Sequence, residues 1–177
     1  ILREVLRWRA TEVAELLETS VASVNSALQR ARATLADRSV SLEDPVAGEL
    51  DADDRALLGR YVEAFEDFDM DALVALLHED ATMSMPPIEL WLRGSWAIRA
   101  WNLGPGSGCR GSRLVALTGN AMPGFAQYRP SGPEGSFEAW GLQLLDLSEG
   151  RIVAINCFLD VARIFPLFGQ PLTLDAT

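Results

Sequence analysis

The chain has no lysine, one histidine, two cysteines and two tyrosines in 177 residues. All 15 of its basic residues are arginines, which reads as codon bias and carries no function. Cys109 and Cys157 are too few and too isolated for a disulfide framework or a metal knuckle. A reducing cytoplasm is therefore expected, with no metal and no cofactor. No apolar run approaches the ~18 residues of a membrane span, and no basic-then-apolar leader suggests secretion. What the chain does have is apolar bulk. Hydrophobic residues make up 49% and charged residues 23%, enough for one packed domain plus a small module.

The formal net charge of -10 is unevenly spread. From Ile1 to Arg38 six arginines face five acids; from Ser39 to Thr177 nine face twenty. The larger part repels a phosphate backbone, so any nucleic-acid contact has to come from the first. Between them "ADRSVSLEDPVAGELDAD", Ala36 to Asp53, has scattered apolar residues, one proline, one glycine and many acids. It reads as a linker in which Ser41 to Pro45 can dock locally. The expected organisation is a helical module over residues 1–36, an acidic linker over 37–53 and a larger domain over 54–177. The opening "ILREVLRW" is already helical in pattern and does not start with Met, which reads as a fragment lacking its N-terminal portion.

In the first module Thr11 is placed to cap a short helix from Glu12 to Leu17, with Glu12 and Glu15 at its positive end. "ETS" breaks the run, and Ser20 can cap a second helix from Val21 to about Leu35. At 100° per residue Val21, Val24, Leu28, Ala31 and Leu35 form one stripe. The opposite face carries Ala22, Ser23, Ser26, Gln29, Arg30 and Ala33, flanked by Asn25 and Arg32. Small polar residues and an arginine suit a phosphate or a guanine edge, as in a helix-turn-helix. An ordinary helical hairpin with solvated arginines fits the same periodicity.

The run "WRATEVAELLETSVASVNSALQRAR", Trp8 to Arg32, resembles region four of the extracytoplasmic-function sigma factors. The likeness spans about Leu2 to Leu35, and its closing "QRARATL" is specific among helix-turn-helix proteins. The resemblance implies that the second helix meets the upstream promoter element while the module docks on RNA polymerase core. By position, Ala22, Ser23, Ser26 and Arg30 would then face promoter DNA, with Asn25 and Arg32 near its backbone. Glu18 departs from the pattern, standing where glycine often takes the turn, at about 1 kcal/mol if left-handed. Asn25 and Ala27 replace residues that are basic in many members, so the module alone is expected to bind weakly. The sigma region that melts DNA is absent from this chain.

Beyond the linker, "DRALLGRYVEAFEDF" is amphipathic, with Leu57, Leu58, Tyr61, Val62 and Phe65 on one side. A short helix over Met70 to Leu77 follows, then a strand in "HEDATMSM" and a strand, turn and helix in "IELWLRGSWAIRAWNL". Four more strand candidates come next, "SRLVALTGNAM", "GFAQYRP", "SFEAWGLQLLDL" and "RIVAINCFLD", the last two joined by a hairpin at "SEGR". "VARIFPLF" closes as a short helix. The fold class is α+β, helices first and a curved antiparallel sheet second.

"YVEAFEDFDMDALVALLHEDATMSMPP", "WLRGSWAIRAW" and "GRIVAINCFLDVARIFPLFGQP" resemble the SnoaL-like family, cone-shaped domains of the nuclear-transport-factor-two superfamily. That superfamily holds cyclases and isomerases, pocket-bearing binding proteins and structural dimers, so the resemblance implies a fold and leaves the function open. A SnoaL-like domain behind region four is itself a pattern, found in sigma factors with a C-terminal extension. The leading expectation is therefore transcription initiation, with the cone acting in cis on the sigma regions and without enzymatic activity. The alternative is that the cone binds or converts a small hydrophobic ligand. A third option is a homodimer through an exposed sheet face.

A cyclase or isomerase of this shape needs a half-dry carboxylate beside an oxyanion donor. His78, beside Glu79 and Asp80, is expected to be solvated. Asp160 either points into the cone or caps the following helix, with capping favoured. Glu138, Gln143 and Asn156 sit in strands and can face either way. Val153, Ile155, Cys157 and Leu159 make one apolar face, which turns Asn156 to the other. Met85, Trp91, Trp101, Tyr128 and Trp140, with Met83 and Trp96 nearby, are the candidate pocket lining; plain core filling or a partner patch is the competing reading. "GPGSGCRG", residues 104–111, has the glycines of a phosphate loop without its lysine or its strand-then-helix setting, and is expected to be a mobile surface loop.

Overall fold

The computed structural model describes residue 3 and residues 8–37, 50–119, 121–131 and 135–175, the side chains of 35–37 excepted. Most of the proposed linker, including Ser41 to Pro45, lies outside these. The chain divides into two compact units, residues 1–45 and 46–177.

The first unit holds α1 (Ala10–Leu16) and α2 (Val21–Asp37). The expected cap at Thr11 is corrected. Arg9 takes the N-cap position, and its backbone N–H donates to the Glu12 carboxylate at 2.6 Å. Glu12 thus supplies the acid half of a capping box, which draws the helix start back and leaves Thr11 in the first turn. Ser20 caps α2 as expected, its hydroxyl accepting the Ser23 N–H at 3.1 Å. Glu18 between the helices has φ 49°, the left-handed region in which its Cβ is crowded. The packing stripe is narrower than expected. Val24 is buried with Val13 and Ala14, and Leu28 is half-buried, but Val21 and Ala31 are exposed. With seven residues, α1 is too short to cover all of α2.

The second unit opens with α3 (Ala52–Glu66), capped by Asp51, whose carboxylate accepts the Asp54 N–H at 2.7 Å. The helix therefore starts inside the stretch assigned to the linker. Next come α4 (Met70–Ala75), β1 (Leu77–Ser84), β2 (Trp91–Arg93), α5 (Ser95–Leu103) and a 3-10 turn over Pro105–Cys109. Then follow β3 (Arg113–Gly119), β4 (Met122–Pro130), β5 (Phe137–Ser148) and β6 (Arg151–Phe158). The chain ends in α6 (Val161–Ile164), a 3-10 turn over Phe165–Phe168 and β7 (Thr173–Leu174). The sheet runs β2-β1-β6-β5-β4-β3, with β7 added beside β5. All pairings are antiparallel except β1 with β6. Glu149 and Gly150 both have positive φ, 52° and 69°, so the expected hairpin is a tight two-residue turn whose twist suits the strands.

Each sheet face carries an apolar core. Under the helices lie Leu57, Tyr61, Phe65, Leu73 and Ile98, packed on Phe125, Leu145, Ile152 and Ile155. On the other face the C-terminal segment lies over Ala126, Tyr128, Leu142 and Leu144, with Phe165 fully buried among them. Its ring meets that of Tyr128 edge-on at 5.4 Å, and Tyr128 donates to the Pro171 carbonyl at 2.9 Å. Burying a phenylalanine this way is worth about 1.5–3 kcal/mol. The C-terminal segment thus covers the part of that face formed by β4 and β5.

Two bulges re-aim side chains. In β6 the pairs Asp146–Ala154 and Leu147–Ile152 skip Val153, which brings Ile152 to the core beside Ile155 and Cys157. Val153, expected on the apolar face, is only half-buried. In β5 the pairs Gln127–Gly141 and Tyr128–Ala139 skip Trp140.

Candidate functional site

In the first unit the candidate surface is the outer face of α2. Ala22, Ser23, Asn25, Ser26, Arg30 and Arg32 are all exposed. Ser26 and Arg30 sit one turn apart, and the guanidinium donates to the Ser26 hydroxyl at 2.8 Å. The Ser23 hydroxyl accepts from that of Ser20 at 3.0 Å. This is a row of hydroxyls ending in a fixed positive charge, with side chains short enough for a helix backbone to approach a groove closely. Behind it the unit has little core. Among the described residues only Val13, Ala14 and Val24 are buried apolar residues, while Leu16, Leu17 and Val21 are exposed.

In the second unit, the space between helices and sheet is filled. Among the described residues the cavity there is about 10 Å³, about one water sphere, bordered by Met83, Met85, Trp101, Asn102, Trp140 and Gln143 among others. Of the expected pocket lining, the structure brings Met85, Trp101 and Trp140 to this point. Tyr128 lies on the opposite face of the sheet, since its neighbour Gln127 faces the helices. Trp91 stands on the surface, 78% exposed, because β2 turns Leu92 to the core. Both are corrected. Trp140 is partly exposed, with the Arg129 guanidinium 4.0 Å above its ring.

The interior does hold a chain of buried polar groups: Gln143, which the sequence left able to face either way, faces inward, and Gln127 and Ser112, not singled out in the sequence, join it. Tyr61 donates to Gln143 Oε1 at 2.7 Å; Gln143 Nε2 donates to Gln127 Oε1 at 2.8 Å; Gln127 Nε2 donates to the Ser112 hydroxyl at 3.0 Å. Burial pushes the Tyr61 hydroxyl well above its ordinary pKa, with the nearby thiols Cys157 and Cys109 adding to the shift. Burial likewise pushes the Cys157 thiol up to about 12. The available signal was the placement of Gln127 and Gln143 at inward strand positions between large apolar residues.

No carboxylate is buried among the described residues. His78 lies exposed in β1, its Nδ1 accepting the Asp80 N–H at 3.1 Å. Asp160 takes the N-cap position of α6 without a side-chain cap bond and pairs with Arg163 at 3.6 Å; it does not point inward. Glu138 is exposed, and half-buried Asn156 accepts from the Ser84 hydroxyl at 2.8 Å. The glycine-rich stretch is an ordered 3-10 turn, not a loose loop. A Cβ on Gly106 would come within 2.3 Å of the Trp101 ring, so the glycine is there for packing. Among the described residues no group of three His, Cys, Asp or Glu gathers to hold a metal, and no helix is long and apolar enough to cross a membrane.

Residues 58–155 match the SnoaL-like domain family, and residues 1–35 match sigma-70, region 4. The chain is 36% identical, over 97% of its length, to the ECF RNA polymerase sigma factor SigG of Mycobacterium tuberculosis, and covers 46% of that protein. It thus spans about half the length of the curated relatives it matches. The crystal structure of the M. tuberculosis extracytoplasmic function sigma factor SigJ superposes with TM-score 0.51 at 23% identity, covering 97% of this chain and 59% of that one. An NTF-2-like protein of unknown function from Burkholderia xenovorans gives TM-score 0.51 at 15% identity, covering 73% and 91%. These two likenesses concern the fold.

Proposed function

Because this chain belongs to the SnoaL-like domain family and matches sigma-70 region 4 ahead of that domain, we propose that it forms part of an extracytoplasmic-function sigma factor. In this reading α2 meets the upstream promoter element, its Ser23, Ser26 and Arg30 toward the DNA and Asn25 and Arg32 at the backbone. RNA polymerase core is the protein partner, and the cytoplasm is the site of action. The observation that carries the reading is the exposed row from Ala22 to Arg30, whose guanidinium and hydroxyls are presented together. The small core behind it fits a module that gains stability by docking on a larger surface.

The SnoaL-like domain acts in cis on the sigma regions. From Val46 to Thr177 nine arginines face eighteen acids, so this domain disfavours DNA wherever it comes near the module. A cyclase- or isomerase-like role is less supported: the interior is filled, and no buried carboxylate stands beside a donor among the described residues.

The test is promoter-specific transcription with polymerase core, using the native protein with and without residues 46–177 and with Arg30→Ala. Arg30→Ala should lower specific initiation by ~10-fold and reduce the salt dependence of promoter binding by about one phosphate contact. Removing residues 46–177 should raise promoter binding and change its salt dependence. Unchanged initiation in Arg30→Ala would refute the DNA-reading role; equal binding and equal salt slope without the domain would refute its electrostatic part.

A further inference from the structure

We propose that the SnoaL-like domain carries a second, separate site, a groove between α3 and the β3–β4 hairpin that takes a small amphiphile with an apolar body and one anionic head. This site is not the filled interior. Its volume is about 450 Å³, within the range of small-molecule sites. The floor is Leu58 and Phe125, both buried, and the walls are Val62 and Leu117, both half-buried. These surfaces offer an apolar body something to cover, as the 10 Å³ interior cavity does not.

Two further features specify the occupant. Arg55 is the one charged side chain among the described lining residues. Arg93, Arg99 and Arg163 of this unit are engaged on aspartates and Arg110 and Arg129 on aromatic rings, and Arg60 lies outside the groove lining. Arg55 has no such partner among the described residues, so its charge is available to an anionic head at the rim. Gly59, the second feature, lies inside α3 on the groove wall. A mid-helix glycine is unfavourable beside alanine, yet a Cβ there would meet nothing within 4 Å. No packing among the described residues requires the glycine. What it preserves is open space against the helix backbone, where an apolar body lies along the groove.

The proposal is independent of the transcription reading, because binding is measured on the full chain without DNA or polymerase. The probe is dodecanoate below its micellar concentration, titrated by calorimetry, with dodecanol as the neutral and dodecyltrimethylammonium as the cationic counterpart. Dodecanoate should bind one per chain and more tightly than either counterpart. Arg55→Ala should weaken dodecanoate at least 10-fold and dodecanol less than 3-fold, on the scale of one charge-assisted contact. Arg55→Lys should restore part of the loss. Gly59→Leu, whose Cβ meets nothing within 4 Å, puts a side chain on the groove wall and should weaken dodecanoate and dodecanol alike by 10-fold or more, with circular dichroism unchanged. Absence of saturable one-to-one binding, or binding indifferent to Gly59→Leu, overturns the proposal. So does a dimer that Gly59→Leu dissociates while dodecanoate fails to bind, which would make the groove an interface between copies.

Discussion

Tyr61→Phe tests whether the buried polar chain holds the SnoaL-like domain together. The substitution removes one hydroxyl and no carbon, so it opens almost no cavity, and the ring keeps its stacking on Phe125 at 5.7 Å. What is lost is the donor to Gln143 Oε1 at 2.7 Å, at a site where Tyr61 is 1% and Gln143 2% exposed. The adjoining cavity, about 10 Å³, has room for one water at most. A buried acceptor left unpaired costs about 1–3 kcal/mol. Against a domain stability of roughly 5–15 kcal/mol that is readily measured, and it should lower Tm by roughly 5–10 °C. The assay is urea denaturation followed by tryptophan fluorescence, with the midpoint falling and the slope unchanged. A cycle with Gln143→Met isolates the pair. Gln143→Met alone strands the Tyr61 hydroxyl and Gln127 Oε1, while the double variant strands only Gln127 Oε1. Two fewer groups are stranded in the double than in the two singles together, so it should cost less than their sum by about 2 kcal/mol or more. A Tyr61→Phe loss below about 0.5 kcal/mol, or strict additivity in the cycle, would refute the reasoning.

Three other outcomes are expected. Glu18→Gly relieves a left-handed residue and should stabilise the two-helix unit by about 1 kcal/mol, read as roughly fivefold greater amide protection in α2. Gly59→Ala adds a methyl that meets nothing within 4 Å and should raise the domain's stability by about 0.5–1 kcal/mol in the same urea assay. Alkali should destabilise the domain. Its buried Cys157 thiol titrates at about 12 against an ordinary 9.0, and the Tyr61 hydroxyl well above 10.0. Both pKa values are raised in the fold, so the unfolded chain loses these protons first. Their contribution is whole below about pH 9 and falls by about 1.4 kcal/mol per pH unit for each group as pH rises above its unfolded value. Cys157→Ala should flatten the fall between pH 9 and 10, as urea midpoints across pH 8–11 would show.

Local rules written into the chain account for much of this. The Ser20 cap, the strained Glu18 turn, the amphipathic α3 and the hairpin at Glu149–Gly150 each depend on residues within a few positions of one another. The outward row on α2 was legible for the same reason, since a 3.6-residue period assigns faces without knowledge of the partner. Resemblance to two families supplied the order of the modules, and both families match the chain in that order.

What local pattern could not supply was which side of the sheet each strand residue faces. Strands buried on both faces lose the alternation of polar and apolar residues that marks an inside, so "GFAQY" looks the same from either side. The C-terminal segment folds over β4 and β5 on the second face, and this contact between distant residues sent Tyr128 away from the helices. Bulges at Val153 and Trp140 then shifted the period by one within a strand. Local sequence determined the helices, their caps, the turns and the exposed polar face of α2, because each is set by nearest neighbours. Tertiary packing alone decided the filled interior, the Tyr61–Gln143–Gln127–Ser112 chain and the groove at Arg55, because each needs residues far apart in the chain to arrive at one place.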